Sequence, residues 1–202
     1  MHCPRGLPRR CQTGAEHWRA LPLAAPDMTP TNRTLLLVRH VQAAWQDAGA
    51  SERHRPPDRR GEQELARLHR WCAERLVLPR RIVSSPATQA LETARAMAHG
   101  FGLPGGAVVV DERLYHGSAH GLTTLLEGLD DAWDCVVLVG HHPELADLCR
   151  HFWPGIGYLA TGTLAELRFE AEGWPGLLDR RPSLGLLHAP AAGLRAGECS
   201  TV

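Results

Sequence analysis

Hydrophobic residues in this chain fall into short unbroken runs that alternate with stretches of helical spacing. Leu35-Leu36-Leu37-Val38 runs into Arg39-His40, and Val136-Val137-Leu138-Val139 runs into Gly140-His141. Neither run alternates apolar with polar positions, which is the signature of a strand covered on both faces. The pattern predicts strands over residues 34–38, 80–84, 107–110 and 135–139, with further strands over 163–169 and 184–188. Between them, Leu65, Leu68, Cys72 and Leu76 repeat at helical spacing and predict a helix over 61–76. A second helix is expected over 87–100, opened by Pro86 and closed by Gly100. Leu122, Leu125, Leu126 and Leu129 predict a short helix over 122–129, and Pro143 opens another over 143–152. Residues 41–58 read as a polar loop with Pro56-Pro57.

Strands alternating with helices imply right-handed βαβ units and an α/β fold, a three-layer α/β/α sandwich with a mostly parallel central sheet. In such sheets ligand chemistry gathers at the carboxyl ends of the strands. Two of the strongest predicted strands each deliver a histidine there.

Composition narrows the picture. The chain has 202 residues, 44% of them hydrophobic, enough for one domain with a full core. Residues 1–32 differ: prolines and Arg5, Arg9, Arg10 and Arg19 are scattered without periodicity. The expected organisation is therefore a disordered extension over 1–32, a domain over 33–190 and a flexible tail over 191–202. No nucleic-acid partner is expected, because 22 basic residues balance 22 acidic ones. All 22 basic residues are arginine, so neither a lysine Schiff base nor a Walker-type lysine is available. No G-x-G-x-x-G or P-loop occurs, and no apolar stretch approaches a membrane span. None of the six cysteines forms a C-x-x-C pair, and Cys72 and Cys135 lie in apolar segments, which fits a reducing cytoplasm.

Adjacent strands lie about 4.8 Å apart, so neighbouring first and fourth strands would bring His40 and His141 face to face. Arg39 adds a fixed cation with the fork geometry that suits phosphate. Ser84-Ser85-Pro86 ends the second strand and opens a helix, whose free amides favour anions. A neutral imidazole kept from protonation by a nearby arginine is a competent nucleophile. A second imidazole can turn cationic when phosphate binds and stabilise the transferring group. No metal or other cofactor is called for, because arginine and imidazolium supply the positive charge.

Four segments in order resemble the histidine phosphatase superfamily (phosphoglycerate mutase-like), and within it the small SixA-like branch. They are Arg39-His40-Val41-Gln42-Ala43-Ala44-Trp45, Arg55-Pro56-Pro57-Asp58-Arg59-Arg60-Gly61, Ser84-Ser85-Pro86-Ala87 followed by Ala90 and Thr93-Ala94, and Gly140-His141-His142-Pro143-Glu144-Leu145. The likeness runs from about residue 34 to about residue 190. It implies a phosphatase acting through a phosphohistidine on His40, with Arg39 as phosphate ligand and His141 as the second active-site histidine. Ser85, Gln89 and Arg55 are the further substrate-binding candidates. The branch is linked to protein phosphohistidine dephosphorylation, so the expected partner is a phosphorylated protein or a small phosphorylated substrate. Where the family expects a phosphate-binding arginine this chain has Gln89, which donates a hydrogen bond without charge. Val41 and Gln42 also depart from the usual residues.

The general acid has three candidates: Asp111 and Glu112 after the third strand, and Glu144 beside His141. A phosphohistidine substrate eases the demand for an acid, since protonated imidazole leaves far more readily than an alkoxide. His116 and His120 have the i, i+4 spacing of a metal-binding helix face, but Gly117 and Gly121 argue for a loop, and no matching ligand follows. Trp133, Trp153 and Trp174 read as packing residues, whereas Trp45 stands where substrate could meet it. Met28 precedes the first strand and is the expected translation start. Mass spectrometry of the native protein checks this: no peptide from residues 5–19 should appear.

Overall fold

The computed structural model describes residues 32–45, 51–76, 78–156 and 158–189. The extension, the tail and the proposed start at Met28 lie outside the described residues, except that Asn32 opens the first strand. Six strands form one sheet: β1 (Asn32–Arg39), β2 (Arg81–Ser84), β3 (Val108–Val110), β4 (Cys135–Gly140), β5 (Leu164–Glu170) and β6 (Leu184–His188). Their order is β3-β2-β4-β1-β5-β6. The pairs β1–β4, β2–β4 and β2–β3 are parallel, and β5 alone runs against the rest. The mostly parallel sheet expected from the sequence is present.

Side chains alternate across the sheet and build a core on each face. Leu36, Val38, Ile82, Val137 and Val139 pack under helices α1 (Arg59–Ala73) and α2 (Thr88–Gly100). Leu35, Leu37, Val83, Val136 and Leu138 pack under α3 (Ala119–Glu127) and α4 (Glu144–Phe152). Leu35, Leu37 and Val38 have no exposed surface, which explains why their runs show no alternation. Trp174 is fully buried, and Trp133 and Trp153 pack against the α3/α4 core. Cys72, Cys135 and Cys149 are buried free thiols, each pushed up to about 12 by that burial. Among the described residues no helix is long and apolar enough to cross a membrane.

Three details differ from the sequence reading. Helix α1 ends at Ala73, where Glu74 bonds back to Arg70 O and Arg75 N–H to Cys72 O, so Leu76 lies beyond it and is 99% exposed. Its buried face is Gly61, Glu64, Leu68 and Cys72, with Leu65 at the margin. Gly100 does not cap α2; it is the last helical residue, and the left-handed residue is Gly102 (φ +67°). Gly100 is required for close packing instead, because a Cβ there would stand 2.5 Å from His69 O on α1. Helix α3 begins earlier than expected, at Ala119 with Ser118 as its cap, so His120 is helical and His116 is not. They do not share a helix face.

Gly61 couples this packing to the loop that follows His40. Asp58 caps α1 by accepting the Gly61 N–H at 2.8 Å, and a Cβ on Gly61 would meet Gln42 O at 2.0 Å. Gly61→Ala must therefore displace backbone and is expected to destabilise the fold by about 1–3 kcal/mol. Urea unfolding measures it, and the loop carrying His40 shifts with it.

Candidate active site

Four parallel strand ends line up at one edge. His40 N–H donates to Gly140 O at 3.0 Å, Ser85 N–H to Val139 O at 2.9 Å and Asp111 N–H to Ser84 O at 2.9 Å. The β1–β4 register sets Arg39 opposite Gly140, so the next residue on each strand is a histidine. The rings of His40 and His141 lie 4.7 Å apart between centroids, tilted by 55°. The face-to-face pair expected from the two strand ends is formed.

Each ring is held through one nitrogen. His40 Nδ1 lies 2.7 Å from Val41 O. A carbonyl only accepts, so Nδ1 carries the proton and Nε2 keeps its lone pair. His141 Nε2 and Ser85 Oγ share a hydrogen bond at 2.8 Å, and Ser85 Oγ also accepts from Ala87 N–H at 3.3 Å. Ser85 is fully buried, so its hydroxyl orients His141 rather than lining the mouth. Burial holds His40 below the ordinary histidine range, and Arg39 adds to this against the opposing pull of the Val41 carbonyl. Burial pushes His141 down to about 3, helped by the neighbouring His40, His116 and Arg39. In the free protein both imidazoles are neutral.

Arg39 is clamped from the far end of the chain. One terminal nitrogen donates to Tyr158 OH at 2.6 Å and to Leu159 O at 2.8 Å, and the guanidinium lies over the Tyr158 ring. Its Nε is buried with no protein partner, an unsatisfied donor of the kind an anion would satisfy. Gln89 lies in the first turn of α2 and is 1% exposed. Its Nε2 donates to Glu52 O at 3.3 Å, so it fastens the 51–55 loop, while its buried Oε1 has no partner. Arg55, on that loop, faces the ring of Trp45 at 5.4 Å, and Trp45 is 88% exposed.

The carboxylates expected after the third strand are already engaged. Asp111 is bound by Arg113 at 2.6 and 2.9 Å, which holds it below the usual carboxylate range. Both Glu112 oxygens accept from Arg53, at 2.7 and 3.3 Å. Glu144 opens α4, with Oε1 3.9 Å from His116 Nδ1. Tyr115, His116, His142 and Tyr158 ring the site: Tyr115 meets His141 edge-on at 5.2 Å, and His142 meets Tyr158 at 5.4 Å.

Glu64 escaped the sequence reading. This carboxylate is 1% exposed behind the His40 loop. Its Oε2 accepts from Gln42 N–H at 2.8 Å, and its Oε1 from Arg60 Nε at 3.0 Å and Thr161 Oγ1 at 3.3 Å. Gly162, in contact with Glu64, donates its N–H to the carbonyls of both Arg39 and His40 at 3.1 Å. One buried charge thus joins the loop after His40 to the loop that clamps Arg39. The signal was present: Gly61, Glu64, Leu68 and Cys72 share a helix face, and a carboxylate on a buried face is informative. Thr93 adds a second tie, accepting from Val41 N–H at 3.1 Å.

The carboxyl edge of the sheet thus gathers two neutral histidines and a clamped arginine. The model of the histidine phosphatase superfamily (branch 1) matches residues 35–128 of the chain. The fold is similar to the structure designated phosphohistidine phosphatase SixA from Nakamurella multipartitia, at 24% identity and a TM-score of 0.66, over 80% of this chain and 98% of that one. It is similar also to the SixA structure from Agrobacterium tumefaciens, at 25% identity and a TM-score of 0.59, over 67% of this chain and 90% of that one. An uncharacterized chloroplastic protein of Arabidopsis thaliana is 34% identical over 74 residues, which are 37% of this chain and 34% of that protein, so the match spans about a third of that relative.

The depressed histidines make stability depend on pH. The unfolded state takes up protons from about 6.5 downward, whereas folded His141 resists protonation until about 3. The stability contributed by neutral His141 is therefore fully present above 6.5 and lost as pH falls through that window. His141→Asn should flatten the decline by up to about 1.4 kcal/mol per pH unit. Urea titrations of both proteins from pH 7.5 to 5 check the slope.

Proposed function

We propose that this protein is a phosphatase that works through a phosphohistidine on His40 without requiring a metal, and that its substrates are phosphohistidine side chains of proteins in a reducing cytoplasm. The observation that carries the reading is the free Nε2 of His40, set against His141 and beside the buried, unpaired Nε of Arg39. Nε2 attacks phosphorus, the bond to the leaving group breaks, and its electron pair departs with that group. Bound phosphate favours protonation of His141, and the imidazolium with Arg39 balances the charge of the transferring group. Water then attacks phosphorus, the P–Nε2 bond breaks, and phosphate is released with neutral His40 restored.

A protein substrate is supported by the rim. Trp45 and Tyr158 stand exposed near the two histidines, where they suit contact with a protein surface. Gln89 favours a second reading, a catalytically weak phospho-recognition protein, because a neutral donor replaces a charge-assisted bond of about twice its strength.

Turnover of a phosphohistidine protein, against a panel of sugar phosphates, tests both readings. The wild type should hydrolyse the phosphohistidine protein, His40→Ala should lose on the order of 1000-fold or more, and Gln89→Arg should lower KM. Hydrolysis that survives in His40→Ala excludes the mechanism. Binding without turnover in the wild type supports recognition alone, and preference for a sugar phosphate moves the substrate to small metabolites.

A further inference from the structure

We propose that His116, oriented by Glu144, is the proton donor to the leaving group, which brings alkyl phosphate esters within reach of the site as well as phosphoramidates. The proposal rests on His40 being the nucleophile.

The carboxylates at the end of β3 are spent on arginines. Asp111 is held by Arg113, and Glu112 meets Arg53 through both oxygens, the arrangement of an ionised carboxylate. His116 comes a few residues later in a conformation that side chains seldom adopt, with φ at +51°. The turn that holds it is tight: a Cβ on the following Gly117 would stand 1.9 Å from Arg113 O. Non-glycine residues persist in the left-handed region where their surroundings over-determine them, and such residues cluster at active sites. Here the turn presents the imidazole to the site. Its ring lies 6.1 Å from that of His141, inclined by only 21°, and 4.3 Å from that of Tyr115.

Glu144 supplies the second half of the argument. Its Oε1 is 3.9 Å from His116 Nδ1, within ion-pair reach, and its Oε2 is buried without a partner. A buried carboxylate oxygen with no donor is costly unless a cation stands close, and the ring placed nearest to Glu144 for that purpose is His116. With Nδ1 turned toward Glu144, Nε2 is the nitrogen left for substrate. His141, Tyr115 and Glu144 are the titratable groups against it, with Arg53 behind Tyr115.

The chemistry balances. As His40 Nε2 bonds to phosphorus, the ester P–O bond breaks and its electron pair stays on oxygen. That oxygen takes the proton from His116 Nε2, and the N–H electrons remain on the ring. In the second half-reaction water attacks phosphorus, the P–Nε2 bond of His40 breaks, and the neutral His116 accepts the proton that water gives up. Alkoxide leaving groups need this proton; p-nitrophenolate scarcely does.

The test compares kcat/KM for p-nitrophenyl phosphate and glycerol 2-phosphate in the wild type, His116→Asn, Glu144→Gln and His40→Ala. Asparagine tolerates the left-handed backbone, so His116→Asn keeps the turn. The expected result is a loss of about 100-fold or more on glycerol 2-phosphate in His116→Asn, with a loss at least about tenfold smaller on p-nitrophenyl phosphate. Glu144→Gln should show the same ordering at smaller size. Equal losses on both esters, no loss on either, or a wild type that cleaves only the activated ester overturns the proposal. His40→Ala reads the underlying mechanism separately: if it still cleaves p-nitrophenyl phosphate, the nucleophile is wrong, whatever His116 does.

Discussion

The parallel pairing of β1 with β4 is the constraint on which the site depends. It places Arg39 opposite Gly140, and one further residue on each strand brings His40 and His141 to 4.7 Å. The register is fixed because both strands are buried on both faces. A slip by one residue would exchange the side chains of the two cores and turn Leu35 and Leu37 toward the wrong helices. The juxtaposition of the two histidines and the core packing are thus satisfied by the same alignment, and the candidate site inherits the rigidity of the sheet.

Around that pair the protein uses neutral and charged groups for different ends. Burial keeps both imidazoles uncharged in the free protein, which leaves the Nε2 lone pair of His40 free and His141 able to take up charge when an anion stands near it. Positive charge that must persist is given to Arg39, whose position is set by Tyr158 and Leu159. Glu64, behind the site, contributes position alone: its oxygens join segments that would otherwise be free to move apart. Gln89 follows the same logic. It ties the 51–55 loop through the Glu52 carbonyl, so the residue that lacks the expected charge still fixes a wall of the pocket.

The strands and the two histidines were legible in the sequence because unbroken apolar runs admit few interpretations, and residues at the ends of such runs are where α/β chemistry collects. Four ordered segments then singled out Arg39, Ser85 and Gln89, and the structure brings Ser85 to His141 and Arg39 beside His40. What stayed hidden was of two kinds. Some contacts join segments far apart in the chain, such as Tyr158 with Arg39 or Thr161 with Glu64, and no local pattern encodes them. Others depend on which side of a helix faces inward: Leu76 has the right spacing but falls past the end of α1, while Glu64 has the wrong chemistry for the buried face it occupies. Gly100 was noticed for the right property, its missing side chain, but the use made of it is close packing against His69 rather than a turn.

The central position of β1 has a consequence for synthesis. This strand leaves the ribosome first, yet its two neighbours, β4 and β5, follow roughly a hundred residues or more later. Until they arrive, Leu35-Leu36-Leu37-Val38 is an apolar strand with both edges open, the kind of segment that seeks partners on other chains. The same delay means that His40 meets His141 only when nearly the whole domain has been made, so a chain truncated before β4 carries the first histidine without its partner ring.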